Sequence, residues 1–373
     1  MNLLNSKILI IKVGSSLLIK NNKFDNNWFN DFVLDIQLLR KNKIKILIVA
    51  SGAVSLGREY LGINSKKPLK INEKQACASC GQSLLMNNFI EAFSKKKIKI
   101  AQILLTFNDT EERRKNLNAR ETIETLINSR VIPVINENDT IATEELRFGD
   151  NDRLAARVAQ IINADNLILL SDVNGLYDSN PKNNSKAKLI KLIRKIDKKI
   201  IKMGTDETNL YGSGGMKTKI EAAQIAMNSG CNTFIFSGKG NRPIKKVIEN
   251  PGKNGTWFIP LKKVKSSFKR WLASSIKIFG KIIIDKGAVD ALNKGSSLLP
   301  SGVLDVLGNF KRGDIVEVYS KDDYFIGKGI IAYDFVEAKM ILGKKTSQIE
   351  SIIGYIGRDE LIHRDNFIIN AKK

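Results

Sequence analysis

Four polar segments of this chain each follow directly on a short apolar run and carry side chains able to handle an anion. In Lys12-Val13-Gly14-Ser15-Ser16 a lysine ends the run Ile8 to Val13 and a glycine follows, which leaves room for backbone amides to approach a negative group. A lysine in that place is costly unless it meets negative charge or snorkels to solvent, and the residues leave both readings open. Ala50-Ser51-Gly52-Ala53-Val54 repeats the pattern with small residues ahead of a helix start. The first N–H groups of a helix suit a carboxylate or phosphate, although a plain serine N-cap reads the same way.

The third segment is Asn136-Glu137-Asn138-Asp139-Thr140 with Gly149-Asp150-Asn151-Asp152-Arg153 behind it. It offers carboxylates to an ammonium group and amides to a carboxylate, while capping of the helix expected from about Asn151 accounts for part of it. The fourth joins Ser171-Asp172-Val173-Asn174-Gly175 to Gly212-Ser213-Gly214-Gly215-Met216-Lys217-Thr218-Lys219. Closely spaced glycines and lysines ahead of a helix make a phosphate cradle or a flexible loop. Two common nucleotide signatures are missing: no G-x-x-x-x-G-K-[ST] occurs, and no G-x-G-x-x-G follows the first strand.

The remaining inventory excludes several classes. The only histidine is His363, so a serine or cysteine hydrolase would have to draw its imidazole base from the far end of the chain. Three cysteines make no disulfide framework, and structural zinc generally needs four converging ligands. Cys77 and Cys80 lie inside a helical pattern from Glu73 to Phe93, where their spacing sets two small side chains on one face. The net charge of +23 is scattered along the chain, with lysine rising alongside asparagine and isoleucine. A nucleic-acid footprint would be clustered. No run approaches the roughly 18 to 20 apolar residues of a membrane span, so a soluble, unexported, cytoplasmic protein is expected.

Behind these segments stand the elements that must position them. Ile8 to Val13, Ile44 to Ala50, Ile98 to Leu105, Val131 to Ile135, Leu167 to Leu170 and Thr233 to Phe236 read as buried parallel strands. Between them, Trp28, Phe29, Phe32, Val33, Ile36 and Leu39 recur at helical spacing, as do the apolar residues of Thr122 to Ile127 and Leu154 to Ile162. This alternation predicts an α/β fold, a three-layer α-β-α sandwich around a mostly parallel sheet, whose ligands sit beyond the carboxyl ends of the strands. Ser237 to Ser275 shows little periodicity, and from Ile276 short runs follow at Lys281 to Ile284, Val303 to Leu307, Ile315 to Tyr319 and Tyr324 to Ile331. The expected organisation is a catalytic domain over 1–260, a linker over 261–275 and a small β-rich, barrel-like domain over 276–373.

Taken in this order, the segments resemble the amino-acid kinase family, and within it the branch that phosphorylates glutamate. The resemblance rests on VIPVINENDTIATEELRFGDND from Val131 to Asp152 and on GSGGMKTK from Gly212. The C-terminal part, with Gly295-Ser296-Ser297-Leu298-Leu299-Pro300-Ser301-Gly302 and Arg312-Gly313-Asp314, resembles a PUA domain. The resemblance implies that Lys12 and Lys219 bind the transferring phosphoryl group and that Asp152 holds both lysines. It implies glutamate binding by Ser51, Asp139 and Asn151. Nucleotide binding falls to Lys12, Ser171 and Asp172 and to the loop Ser213, Gly214, Gly215, Met216, Lys217, Thr218 and Lys219. Ala50, Asn116, Ala156 and Asn174 depart from the usual pattern, none of them at an expected catalytic position.

The implied reaction suits the inventory, because a glutamate side chain with a pKa near ~4.3 is already ionised at neutral pH and needs no general base. ATP is the implied co-substrate, with a phosphate-bound Mg2+ and no protein metal ligands assigned. Asp139 is expected to face the α-ammonium of glutamate, and Asn151 to donate to its α-carboxylate. The resemblance also implies a place in proline biosynthesis, feedback inhibition by proline and a homo-oligomer. Another carboxylate kinase of the same fold, or RNA binding through the PUA domain, are the competing readings.

Overall fold

The computed structural model describes residues 3–21, 23–64, 68–142, 151–181, 184, 186–204, 215–250, 254–261, 272, 275, 277–355 and 357–370. The chain divides into two compact units, Met1–Lys263 and Val264–Lys373. The first is built on one eight-stranded sheet: β1 (Ile8–Val13), β2 (Lys45–Ala50), β3 (Ile100–Leu105), β4 (Ile132–Glu137), β5 (Asn166–Ser171), β6 (Leu192–Ile193), β7 (Asn232–Ser237) and β8 (Thr256–Phe258). Their spatial order is β3-β4-β2-β1-β5-β7-β8-β6, and only the β7–β8 pairing is antiparallel. The predicted runs at Ile8, Ile44, Ile98, Val131, Leu167 and Thr233 all fall on strands of this sheet. Strand β8 and a helix at Pro243–Glu249 lie where the sequence offered no pattern, because both are too short for a period to stand out.

Because side chains alternate along a strand, each buried strand feeds two cores. Leu9, Ile11 and Val13 of β1 join Ile46 and Ile48 of β2 in one layer, closed by α1 (Asn26–Lys41), which brings Phe29, Phe32, Val33, Ile36 and Leu39. Asp25 caps α1 by accepting from Trp28 N at 3.0 Å, and Arg40 and Lys41 close its carboxyl end. Ile10 of β1 points the other way, into a layer closed by α6 (Asn151–Ile161) and α7 (Met216–Asn228). The predicted α-β-α sandwich is thus the observed one.

Two further helices, α2 (Ala53–Tyr60) and α3 (Ile71–Ser94), cross with backbones in direct contact. A Cβ on Gly57 would stand 1.7 Å from the Cys77 carbonyl oxygen, and one on Gly81 would stand 1.8 Å from that of Ala53. No side chain fits at either position. The predicted pattern of Glu73 to Phe93 lies within α3, and Cys77 is buried there next to this crossing. Past β3, α4 (Phe107–Glu111) and α5 (Arg113–Asn128) return the chain to β4.

The second unit carries its own five-stranded sheet: β9 (Gly280–Ile284), β10 (Val303–Gly308), β11 (Ile315–Ser320), β12 (Phe325–Ile330) and β13 (Phe367–Ile369), ordered β10-β9-β11-β12-β13. Ile282, Val306, Val316, Val318, Phe310 and Tyr333 form its core. His363 has a local structural task here, since its Nδ1 accepts the Asp365 N–H at 3.2 Å in a short cap. Among the described residues, no helix is long and apolar enough to cross a membrane.

Candidate active site

The carboxyl ends of β1, β2, β4 and β5 bring the sequence-predicted residues to one edge of the first unit's sheet. Lys12 shares its strand face with Ile10, so it enters the layer covered by α6 and α7, where an unpaired ammonium would be costly. There the chain supplies a counter-charge. Lys12 Nζ lies 2.7 Å from Asp152 Oδ1, and Lys219 Nζ lies 2.9 Å from Asp152 Oδ2. Asp152 stands in the first turn of α6 and Lys219 in the first turn of α7. The carboxylate is fully buried, and Lys12 and Lys219 are only 5% and 6% exposed, which rules out the snorkelling reading for Lys12.

Burial by itself raises the pKa of Asp152, but the charges and hydrogen bonds of Lys12 and Lys219 outweigh it and hold the carboxyl well below the usual carboxylate range. Asp152 is therefore an anion at any physiological pH. With both oxygens engaged by ammonium groups, it serves as a lysine holder. Two positive charges against one negative leave the cluster with a formal charge of about +1, suited to a further anion. A second tie, Arg153 Nε to Glu221 Oε2 at 2.8 Å, clamps α6 against α7 and keeps both first turns in register.

Gly14 follows β1 with φ −73° and ψ 153°, a conformation open to any residue. What its missing side chain leaves is space: a Cβ would stand 3.9 Å from Lys12 Nζ and 3.8 Å from the Leu170 carbonyl oxygen. Gly52, by contrast, has φ +111°, so the turn that sets Ser51 ahead of α2 needs glycine. Asn151 opens α6 and reaches back to that turn. Its Nδ2 lies 2.6 Å from the Ala50 carbonyl oxygen, 3.1 Å from Ser51 Oγ and 2.7 Å from Asn136 Oδ1.

A model of the amino acid kinase family matches residues 7–237, and a model of the PUA domain matches residues 280–353. The chain belongs to the amino acid kinase family, in its glutamate 5-kinase branch. It is 49% identical over 369 residues to the glutamate 5-kinase of Pelagibacter ubique (strain HTCC1062), covering 99% of this chain and 100% of that one. With the glutamate 5-kinase of Paramagnetospirillum magneticum it shares 43% identity over 368 residues, 98% of each chain. With that of Bradyrhizobium diazoefficiens it shares 45% identity over 365 residues, 97% of each.

In this kinase the remaining predicted residues distribute as follows. Ser171 ends β5 and its Oγ lies 3.3 Å from Asp172 Oδ1, while its carbonyl accepts the Gly238 N–H at 2.8 Å. Gly215 precedes α7, and Met216, Lys217, Thr218 and Lys219 form its first turn, with Thr218 Oγ1 bonded to the Gly215 carbonyl at 2.9 Å. Ser213 and Gly214 lie outside the described residues, as do Gly149 and Asp150. Asp139 sits in the turn after β4, which α3 supports through Gln75 Nε2 to the Ala142 carbonyl at 3.3 Å and Ser79 Oγ to Thr140 Oγ1 at 3.2 Å.

One expectation meets a conflict. Asn151 was expected to donate to a substrate carboxylate, yet both hydrogens of its amide nitrogen are claimed by three protein acceptors, leaving the carbonyl oxygen as the amide's remaining polar atom. Sequence reading also missed Gln82, whose Oε1 accepts from Asn136 Nδ2 at 2.8 Å. It sits in α3, away from every strand end, and reaches the site only because α2 and α3 cross so closely. Gln75, Ser79 and Gln82 recur at helical spacing on one face, a polar stripe that could have drawn attention to it.

Proposed function

We propose that this chain transfers the γ-phosphoryl group of ATP to the γ-carboxylate of L-glutamate, giving ADP and L-glutamyl 5-phosphate, the first step of proline biosynthesis, in the cytoplasm. The observation that carries the reading is the buried Lys12–Asp152–Lys219 cluster one residue away from Asn151, whose amide ties it to Ser51 and Asn136. Cationic and neutral polar groups then lie side by side, one set fit for a transferring phosphoryl group, the other for an amino-acid head group.

In this mechanism a carboxylate oxygen attacks the γ-phosphorus, the new O–P bond forms, and the bond to the β-phosphate oxygen breaks in line. The nucleophile is already ionised, so no group has to remove a proton. What remains is alignment and stabilisation of charge spreading over the phosphoryl oxygens. Lys12 and Lys219 supply that charge from preset positions, because Asp152 holds both ammonium groups in a water-poor layer. The first turn of α7 adds N–H groups of the kind that lack an intrahelical acceptor and suit a phosphate.

Mg2+ fits this reading as an ion carried on the nucleotide phosphates, since both Asp152 oxygens are engaged by lysines. When bound it would neutralise phosphate charge. For glutamate, Asp139 offers charge to the α-ammonium, and the Asn151 carbonyl oxygen is a second acceptor for the same group. The length of the side chain then sets selectivity, because aspartate is one methylene short of the phosphoryl group.

The test is ATP-dependent trapping of an acyl phosphate by hydroxylamine across glutamate, aspartate, N-acetylglutamate and carbamate. Glutamate should give the hydroxamate at a rate well above the others. A strong signal with another acceptor and none with glutamate would replace this reading by a different kinase of the same fold.

A further inference from the structure

The amides of Gln82, Asn136 and Asn151 form a chain in which backbone groups set the sense of the two asparagines. The Ala50 carbonyl oxygen can only accept, so the atom of Asn151 lying 2.6 Å from it is the amide nitrogen. At the other asparagine, the Glu137 N–H can only donate, so the atom it meets at 2.9 Å is Asn136 Oδ1. The 2.7 Å contact from Asn151 Nδ2 to Asn136 Oδ1 agrees with both assignments. Asn136 must then present its Nδ2 to Gln82, and Gln82 must answer with Oε1, at 2.8 Å. Three amides that could each be flipped in isolation therefore have one consistent sense.

We infer that Gln82 is a positioning residue for the amino-acid head group: as the acceptor for Asn136 Nδ2 it anchors the side chain of Asn136 in place, and through Asn136 that of Asn151, whose carbonyl oxygen is left over for the substrate's ammonium group. The inference rests on the reading of this site as the glutamate site. Asn136 and Asn151 are nearly buried, at 4% and 8% exposure, so water is a poor substitute for a missing partner. Without the acceptor at position 82, the Asn136 amide nitrogen is left unsatisfied. A flip of Asn136 offers no relief, because it would set that nitrogen against the Glu137 N–H and Asn151 Nδ2; the side chain must instead shift towards another acceptor, and Asn151 shifts with it. Gln82 itself lies on α3, and the Gly57–Gly81 backbone contact one residue away fixes its distance from the β2–α2 turn.

The test compares Gln82→Met, which keeps length but loses the acceptor, with Gln82→Glu, which keeps it. In steady-state hydroxamate assays, Gln82→Met should raise the glutamate KM at least tenfold while the ATP KM stays within about twofold. Gln82→Glu should keep the glutamate KM within about threefold of the parent. Equal glutamate KM values in parent and Gln82→Met, equal losses in both variants, or parallel rises in the glutamate and ATP KM values would overturn the inference. Should Gln82→Met fail to fold, Gln82→Glu is combined with Asn136→Asp, because two facing carboxylates cannot satisfy each other. That double variant should lose at least tenfold more kcat/KM for glutamate than the product of the single losses, and simple multiplication would overturn the inference. A parent that forms no glutamyl hydroxamate but does form another acyl hydroxamate overturns the glutamate reading itself, which the parent assay shows before any variant is made.

Discussion

Lys12, from the end of the first strand, and Lys219, from the first turn of a helix more than half the chain later, contact opposite oxygens of one carboxylate, that of Asp152. Each lysine thus reaches a fixed place through the same anion, and neither can shift without disturbing the other's partner.

The first prediction concerns turnover. Lys12→Ala and Lys219→Ala should each lower kcat about 100-fold or more, the usual consequence of losing one preorganised donor to transition-state charge. The hydroxamate assay at saturating glutamate and ATP measures it. Near-normal turnover in both variants would remove these residues from the chemistry.

Removing the shared anion should act on stability as well. Asp152→Asn leaves two nearly buried ammonium groups facing each other without a counter-charge, a change of the kind that costs about 3 to 5 kcal/mol. Urea unfolding would measure the loss. Added ATP should recover part of it, since the nucleotide's phosphates replace the missing negative charge. A variant as stable as the parent without nucleotide would contradict the role assigned to Asp152.

Stability should also carry an acid limb from this residue. The folded pKa of Asp152 is depressed below its unfolded value of about 3.9, so the unfolded state binds the proton more readily. The stabilisation from this carboxylate is therefore fully present above about pH 4 and falls away as the pH drops towards the folded pKa. Unfolding curves of parent and Asp152→Asn should converge as the pH falls below about 4. Parallel curves down to the lowest accessible pH would sink this attribution.

A fourth prediction joins packing to the site. In Gly81→Ala the new Cβ would meet the Ala53 carbonyl oxygen at 1.8 Å, so α2 and α3 must separate. Overpacking of this kind costs about 2 kcal/mol or more. Because α2 begins behind Ser51 and α3 carries Gln82, the glutamate KM should rise with the thermal destabilisation, and the ATP KM should respond less. A variant that unfolds like the parent would mean that the crossing yields easily.

Asp139→Asn should act on glutamate alone, raising its KM by about tenfold or more through the loss of one charge from the ammonium site. Isothermal titration with glutamate and with nucleotide would separate the two effects. Unchanged glutamate affinity would remove Asp139 from the binding site.

Much of this molecule was legible in the residues alone. Uninterrupted apolar runs such as Ile8 to Val13 and Leu167 to Leu170 have few solutions other than strands buried on both faces, and helices between them force a parallel sheet. Once that sheet is expected, the polar segments behind the strands are known to share an edge, while Lys12, Ser51, Asn151, Asp152 and Lys219 were singled out within and beside them by the resemblance to the amino-acid kinase family. What only the tertiary structure decided is direction and partnership. Whether Lys12 reaches solvent or a buried anion depends on which face of β1 it occupies and on what α6 and α7 bring there. The donor-acceptor sense of Asn151 follows from three neighbours drawn from β2, the turn behind it and β4, and Gln82 matters only because two glycines let α3 approach that turn. Hydrogen bonds between residues distant in the chain have no period and no spacing, so sequence pattern cannot carry them, whereas the burial that drives the strands together is written in every apolar run.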